Sequence, residues 1–107
     1  QLSFYISDIL YAEADGKRAK IHTKKGVIDA SMSMADLEKV LPANEFCRPI
    51  RWALVSMREI VAMPTDILKL SDKTEIPISR LKRKEIQDAF ANYSWRSTRR
   101  RVRGGIL

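Results

Sequence analysis

Residues 18–25, RAKIHTKK, alternate at every step: Ala19, Ile21 and Thr23 leave on one side, and Arg18, Lys20, His22 and Lys24 on the other. A period of two belongs to a half-buried strand, because successive side chains of extended backbone point to opposite faces. One face of this strand is therefore core and the other basic. Two upstream runs, LSFYI at 2–6 and ILYAEA at 9–14, are rich in aromatic and branched residues and are also expected as strands. Asp15-Gly16 lies between ILYAEA and RAKIHTKK and tolerates the positive φ of a tight hairpin turn. Gly26 permits a second turn, after which VIDASM alternates again with Ile28, Ala30 and Met32 inward. Asp29 falls opposite the basic face of the preceding strand, where a cross-strand pair contributes roughly 0.2–1 kcal/mol.

The pattern then changes. In SMADLEKVL, Ser33 is placed to cap a helix whose apolar stripe is Met34, Leu37, Val40 and Leu41, and Pro42 ends it after about two turns. FCRPIRWALVSMREI, residues 46–60, has the apolar density of a buried strand yet carries Arg48, Arg51 and Arg58. A buried unpaired arginine is too costly, so these groups must reach water, a carboxylate or an external anion. Pro49 has no N–H to give to a ladder, which places a strand break or an edge there. Phe46, Leu54, Val55 and Ile60 are expected to hold the segment in the core. MREIVAM leads through Pro64-Thr65 to DILKL, a short strand bracketed by Ile67 and Leu70, and Ser71–Thr74 turns the chain into EIPIS. LKRKEIQDAFANY has helical period, with Leu81, Ile86, Ala89, Phe90 and Tyr93 on one side and Lys82, Arg83 and Lys84 at its start. Trp95 is expected to pack the end of that helix. Past it, RSTRRRVRGGIL shows no apolar period, so the reading is a compact domain at 1–95 and a flexible basic tail at 96–107.

A chain of 107 residues forms one domain, able to bury roughly 60–70% of the surface its unfolded form exposes. No apolar run approaches the roughly 20 residues of a membrane-spanning helix, and no signal peptide is visible. Cys47 is the single cysteine and His22 the single histidine, which leaves no internal disulfide and no Cys/His zinc cluster. Cys47 reads as a small hydrophobe beside Phe46, His22 as a surface strand residue, and the setting as reducing and cytoplasmic. Gln1 at the start suggests an excised domain or a processed chain. Neither a Gly-rich phosphate loop nor a nucleophile elbow is present, so neither an enzyme, a cofactor nor a metal is expected. Asp8, Glu13 and Asp15 could hold magnesium in a nuclease, but their alternation along a strand gives solvated positions more naturally.

Charge is distributed unevenly. The net charge is +7, and residues 80–103 hold nine basic residues against Glu85 and Asp88, whereas residues 1–79 are balanced. The excess in the last quarter points to a polyanionic partner, whether DNA, RNA or an anionic membrane surface.

Four segments stand in order: SDILYAEADGK, a short helix ending in LP, FCRPIRWALVSMREI, and a final hairpin closing on IPISR before a basic helix. With Asp8 to Glu13, Leu37 to Pro42, Phe46, Arg48, Arg51, Val55, Ile60, Leu70 and Pro77 to Arg80 matching, residues 2–93 resemble the LytTR DNA-binding domain of bacterial response regulators. The sequence departs from the family's usual His, Ser and Asn at Ile50, Trp52 and Ser56, which bears on base preference and on one phosphate contact. The resemblance implies a mainly β fold of compact antiparallel sheets with one short helix mid-chain and a C-terminal helix. It also implies that loops, rather than a recognition helix, enter the major groove.

Three places would then touch double-stranded DNA: the turn at Asp15, Gly16 and Lys17, the loop around Arg51, and Arg80. An arginine fork can bond both O6 and N7 of guanine, so Arg51 and Arg80 are the expected base readers, with Lys17 beside them. Arg48, Trp52, Lys82, Arg83 and Lys84 are the expected phosphate contacts; the last three sit at a helix start, where the dipole disfavours cations unless a phosphate faces them. The resemblance further implies an upstream receiver domain that pairs two copies on repeated half-sites, the fragment itself being monomeric. The competing reading is nonspecific polyanion binding, to RNA or an anionic membrane, driven by residues 96–103.

Overall fold

The structure, a computed structural model, describes the backbone of residues 5–105 and the side chains of residues 5–96. Eight strands and two helices follow one another as β1 (Ile9–Asp15), β2 (Arg18–Thr23), β3 (Gly26–Ala30), α1 (Met34–Val40), β4 (Phe46–Ile50), β5 (Ala53–Ser56), β6 (Ile60–Ala62), β7 (Ile67–Leu70), β8 (Glu75–Pro77) and α2 (Arg83–Gly105). The strands form two antiparallel sheets, one ordered β3-β2-β1-β5-β4 and the other β6-β7-β8. This is the mainly β architecture with a short central helix and a C-terminal helix that the motifs imply.

The alternation in β2 sets the first hairpins. Asp15 pairs with Arg18, leaving Gly16 and Lys17 as a two-residue loop, and Gly16 takes the φ of +63° that a residue with a Cβ resists there. Thr23 closes the next turn: its hydroxyl donates to the Gly26 carbonyl at 2.7 Å and accepts from the Lys25 N–H at 3.1 Å. Lys20 stands opposite Asp29, as expected.

The larger sheet is covered on both faces, and strand parity sorts the side chains. Leu54, Phe46, Ala12, Ala19 and Ile21 pack toward α1, where Met34, Leu37 and Leu41 complete one core. Ala53, Val55 and Cys47 point the other way, into a second core built with Leu68, Leu70, Ile76 and Ile78 from the smaller sheet and Ile86 from α2. Interior strand β5, between β1 and β4, is consequently buried at all four positions. A register shift between Ile9 and Tyr11 lets Ile9 and Ala12, three residues apart, share the α1 side. Ser33 caps α1 by accepting from the Asp36 N–H at 3.1 Å.

Glu59 joins the two sheets. It is 4% exposed, accepts from the Ser71 hydroxyl at 2.7 Å, and meets Lys24 at 3.1 Å. A carboxylate can be buried there because both oxygens are satisfied.

Several expectations are corrected. Ile6 lies in a 3₁₀ turn, Ile6–Asp8, rather than in a strand, and residues 2–4 of LSFYI lie outside the described residues. Pro49, by contrast, takes the edge placement of the two expected: β4 is an edge strand with a register shift between Cys47 and Ile50, its backbone passes through the proline, and it breaks at Arg51–Trp52. Val40 is 63% exposed and drops out of the α1 stripe, since the stripe is narrower than its apolar residues allow. Trp95 is likewise 63% exposed rather than packed against the helix end. The backbone of α2 runs from Arg83 to Gly105.

Candidate nucleic-acid interface

The β1–β2 turn and the β4–β5 loop lie at the same end of the larger sheet, because β1 and β5 are adjacent and antiparallel with Glu13 opposite Ala53. A hydrogen bond from the Ala14 N–H to the Trp52 carbonyl, 2.9 Å, ties the two together. Lys17, Arg51 and Trp52 consequently rim one open depression of about 760 Å³ whose walls include Ala14, Met34 and Arg48. Trp52 is 40% exposed, so its indole is presented to solvent beside the Arg51 side chain.

The third place joins the same surface through β4. The Ser79 N–H donates to the Pro49 carbonyl at 2.8 Å, which brings the turn after β8 alongside the β4–β5 loop. A second depression, about 390 Å³, is lined by Arg48, Arg51, Glu38, Ser79, Leu81 and Lys82. Arg51 thus stands between the Lys17 turn on one side and the Ser79–Lys82 segment on the other. Arg80 is exposed in a 3₁₀ turn of residues Arg80–Lys82, directly before α2.

Charge pairing separates the cations into two groups. Among the described residues, no carboxylate lies within ion-pair distance of Lys17, Arg51 or Arg80. The four cations expected at phosphates are all paired within the chain, whereas the Trp52 indole, among the described residues, is not. Lys82 is 3.8 Å from Glu85 and Lys84 is 3.5 Å from Asp88, both exposed pairs of the kind water and salt readily loosen. Arg83 pairs with Asp66 of the β6–β7 connection, and its Nε is buried without a partner. Arg48 is held still more firmly. Its Nη1 donates to Glu38 Oε1 at 2.8 Å, while Nη2 and Nε donate to the Arg51 carbonyl at 2.8 and 3.2 Å.

The sequence reading missed Glu38, an acid among the cations, and the expected place of Leu81 on the apolar side of the last helix is corrected: it lies in the 3₁₀ turn before α2, 94% exposed at the edge of the surface. Glu38 stands ten residues before Arg48, so no local spacing rule links them; only the return of β4 against α1 does. His22 is half-buried, with Nε2 2.6 Å from Glu13 Oε1 and its ring stacked on Tyr11 at 4.2 Å between centroids. It forms part of the sheet surface and stands apart from Arg51 and Lys17. Burial, reinforced by Glu13 and Asp72, pushes the Tyr11 hydroxyl above its ordinary pKa. Burial chiefly, with Glu85 nearby, pushes the Cys47 thiol up to about 12. Among the described residues, no helix is long and apolar enough to cross a membrane.

Comparison with known proteins agrees with the fold. No curated protein matches the sequence. A solved structure described as the LytTr DNA-binding domain of a methyl-accepting/DNA response regulator from Bacillus cereus superposes with a TM-score of 0.77 at 20% identity, over 82% of this chain and 85% of that one. At that identity the likeness speaks for the fold. The family model for the LytTr DNA-binding domain matches residues 2–91. The chain belongs to the LytTR family of DNA-binding domains.

Proposed function

We propose that this domain reads the sequence of double-stranded DNA as the output module of a response regulator, with the β1–β2 turn, the β4–β5 loop and the turn after β8 entering the major groove. Family membership carries DNA binding for transcriptional regulation. The observation that supports sequence reading is the surface that Arg51 shares with Lys17 on one side and with the Ser79–Lys82 turn on the other; Arg80 is exposed in that turn, and none of the three cations has an acid partner among the described residues. Arg51 and Arg80 offer planar forks to guanine, and Lys17 a flexible point charge beside them. Lys82, Lys84 and the Trp52 indole N–H flank them and meet phosphates; Arg83 does so once a phosphate competes with Asp66. An upstream receiver domain would pair two copies on repeated half-sites, and linking the two modules raises apparent affinity through effective concentration.

Competition binding tests this reading. A duplex selected from a random pool should outcompete random duplex by roughly 10³-fold or more at physiological salt. Equal competition by every duplex, together with loss of binding when residues 96–107 are deleted, would replace it with nonspecific polyanion binding.

A further inference from the structure

We infer that Arg48 is a positioning residue for base reading: with Glu38 it clamps the β4–β5 loop so that Arg51 is held ready before DNA arrives. This rests on the proposed reading of DNA by Arg51. The loop consists of two residues, Arg51 and Trp52, between strand ends at Ile50 and Ala53. Each has one carbonyl outside the ladder of its own hairpin, and each carbonyl is secured by a different element. The Trp52 carbonyl accepts from Ala14 of β1. The Arg51 carbonyl accepts two hydrogen bonds from Arg48 of β4. With both loop carbonyls tied, the peptide between them has little freedom to rotate, and the Arg51 side chain leaves the backbone in a fixed direction.

The chemistry needs arginine at position 48. One edge of its planar group, Nε and Nη2, closes on the Arg51 carbonyl, and the remaining Nη1 closes on Glu38. A lysine ammonium is a compact point charge on a flexible stem and cannot hold both partners at once in that fixed plane. Glu38 is itself oriented from a capped helix, α1, so the acid end of the relay is anchored to the core. Its carboxylate also lowers the pull of Arg48 on phosphate, which accounts for an acidic group on a surface that otherwise favours anions. Pre-organisation of this kind improves binding by removing ordering cost from the bound state. It favours the duplex that Arg51 fits and gives nothing extra to random sequence.

The 107-residue chain with Glu38→Gln and, separately, Arg48→Lys tests the inference through two readouts. In the free protein, backbone ¹⁵N relaxation should show lower order parameters at Arg51 and Trp52 in both variants, with the Lys17 turn unchanged. In competition binding, both should lose about tenfold of their preference for the selected duplex over random duplex. Affinity for random duplex should stay within about twofold and the salt dependence should keep its slope. An Arg48→Lys variant with wild-type order and preference would overturn the clamp. So would an Arg48→Met variant that weakens all duplexes alike and lowers the salt slope by about one, since that is the behaviour of a phosphate contact. A wild-type chain with no duplex preference sinks the DNA-reading proposal instead, and the relaxation data on the free variants still decide whether the clamp exists.

Discussion

At the scale of single residues, the structure turns composition into chemistry most sharply at Cys47. It lies on the face of β4 that meets the smaller sheet and α2, where burial holds the thiol protonated to about pH 12. The native thiol should therefore resist a thiol-exchange reagent at pH 8, and its labelling rate should follow global unfolding. Native labelling as fast as that of a free cysteine peptide would show the strand pairing to be wrong. The same shift has a stability consequence. Between the ordinary thiol pKa near 9 and the native value near 12 the folded state keeps a proton that the unfolded state has released, so stability is complete below pH 9 and falls as pH rises through that window. Tyr11, also pushed upward, acts in the same direction. Alkaline denaturation followed by circular dichroism should shift to higher pH in a Cys47→Ala variant, once its lower baseline stability is subtracted. Part of this was legible in the sequence: alternation in β2 assigned Ala19 and Ile21 to a buried face because strand parity is a local property, and Cys47 was expected as a small hydrophobe beside Phe46, although it is buried on the opposite face of β4 from Phe46. The Arg48–Glu38 pair was not, because it depends on where α1 packs.

Among elements, the polar part of the connection between the two sheets depends on few groups. Glu59 is the buried carboxylate that bonds Ser71 from the β7–β8 turn and Lys24 from the β2–β3 turn. Glu59→Ala should cost about 1.5–3 kcal/mol, the range for hydrogen bonds to a charged group, measured by urea unfolding. Ser71→Ala should cost less, because the Glu59 carboxylate keeps Lys24. A Glu59→Ala variant as stable as the parent would mean the sheets are joined by their apolar contacts alone. Removal of the α1 cap by Ser33→Ala should cost about 1 kcal/mol and, by loosening the helix that carries Glu38, should raise mobility in the β4–β5 loop. Sequence signals found the cap, the short helix and the hairpins because each is set within a few residues. They left open whether Pro49 marks a break or an edge, because proline's cost depends on which strands flank it. At the edge of the sheet, β4 keeps that cost low.

For the whole molecule, the two sheets form a frame that delivers three turns to one surface. The larger sheet brings Lys17 and Arg51 together by strand adjacency, and the Ser79–Pro49 hydrogen bond brings the Arg80 turn to them. The family resemblance is what named these three places; sequence spacing alone could not group them, since they are separated by about thirty residues each. Lys82 and Lys84 flank the surface and pair only with exposed acids, so neutralising both should weaken specific and random duplexes alike and lower the salt slope by about two. A change in base preference instead would move these lysines from phosphate contact to base reading. The central claim is that Arg51 and Arg80 read bases from that shared surface. The most direct test is a base-substitution profile over every position of the selected duplex for the wild-type chain, Arg51→Ala and Arg80→Ala at one salt concentration. Each variant should lose about 1–3 kcal/mol of discrimination at its own base pair and keep the rest of the profile. Profiles that retain the wild-type shape while all affinities fall together would contradict it.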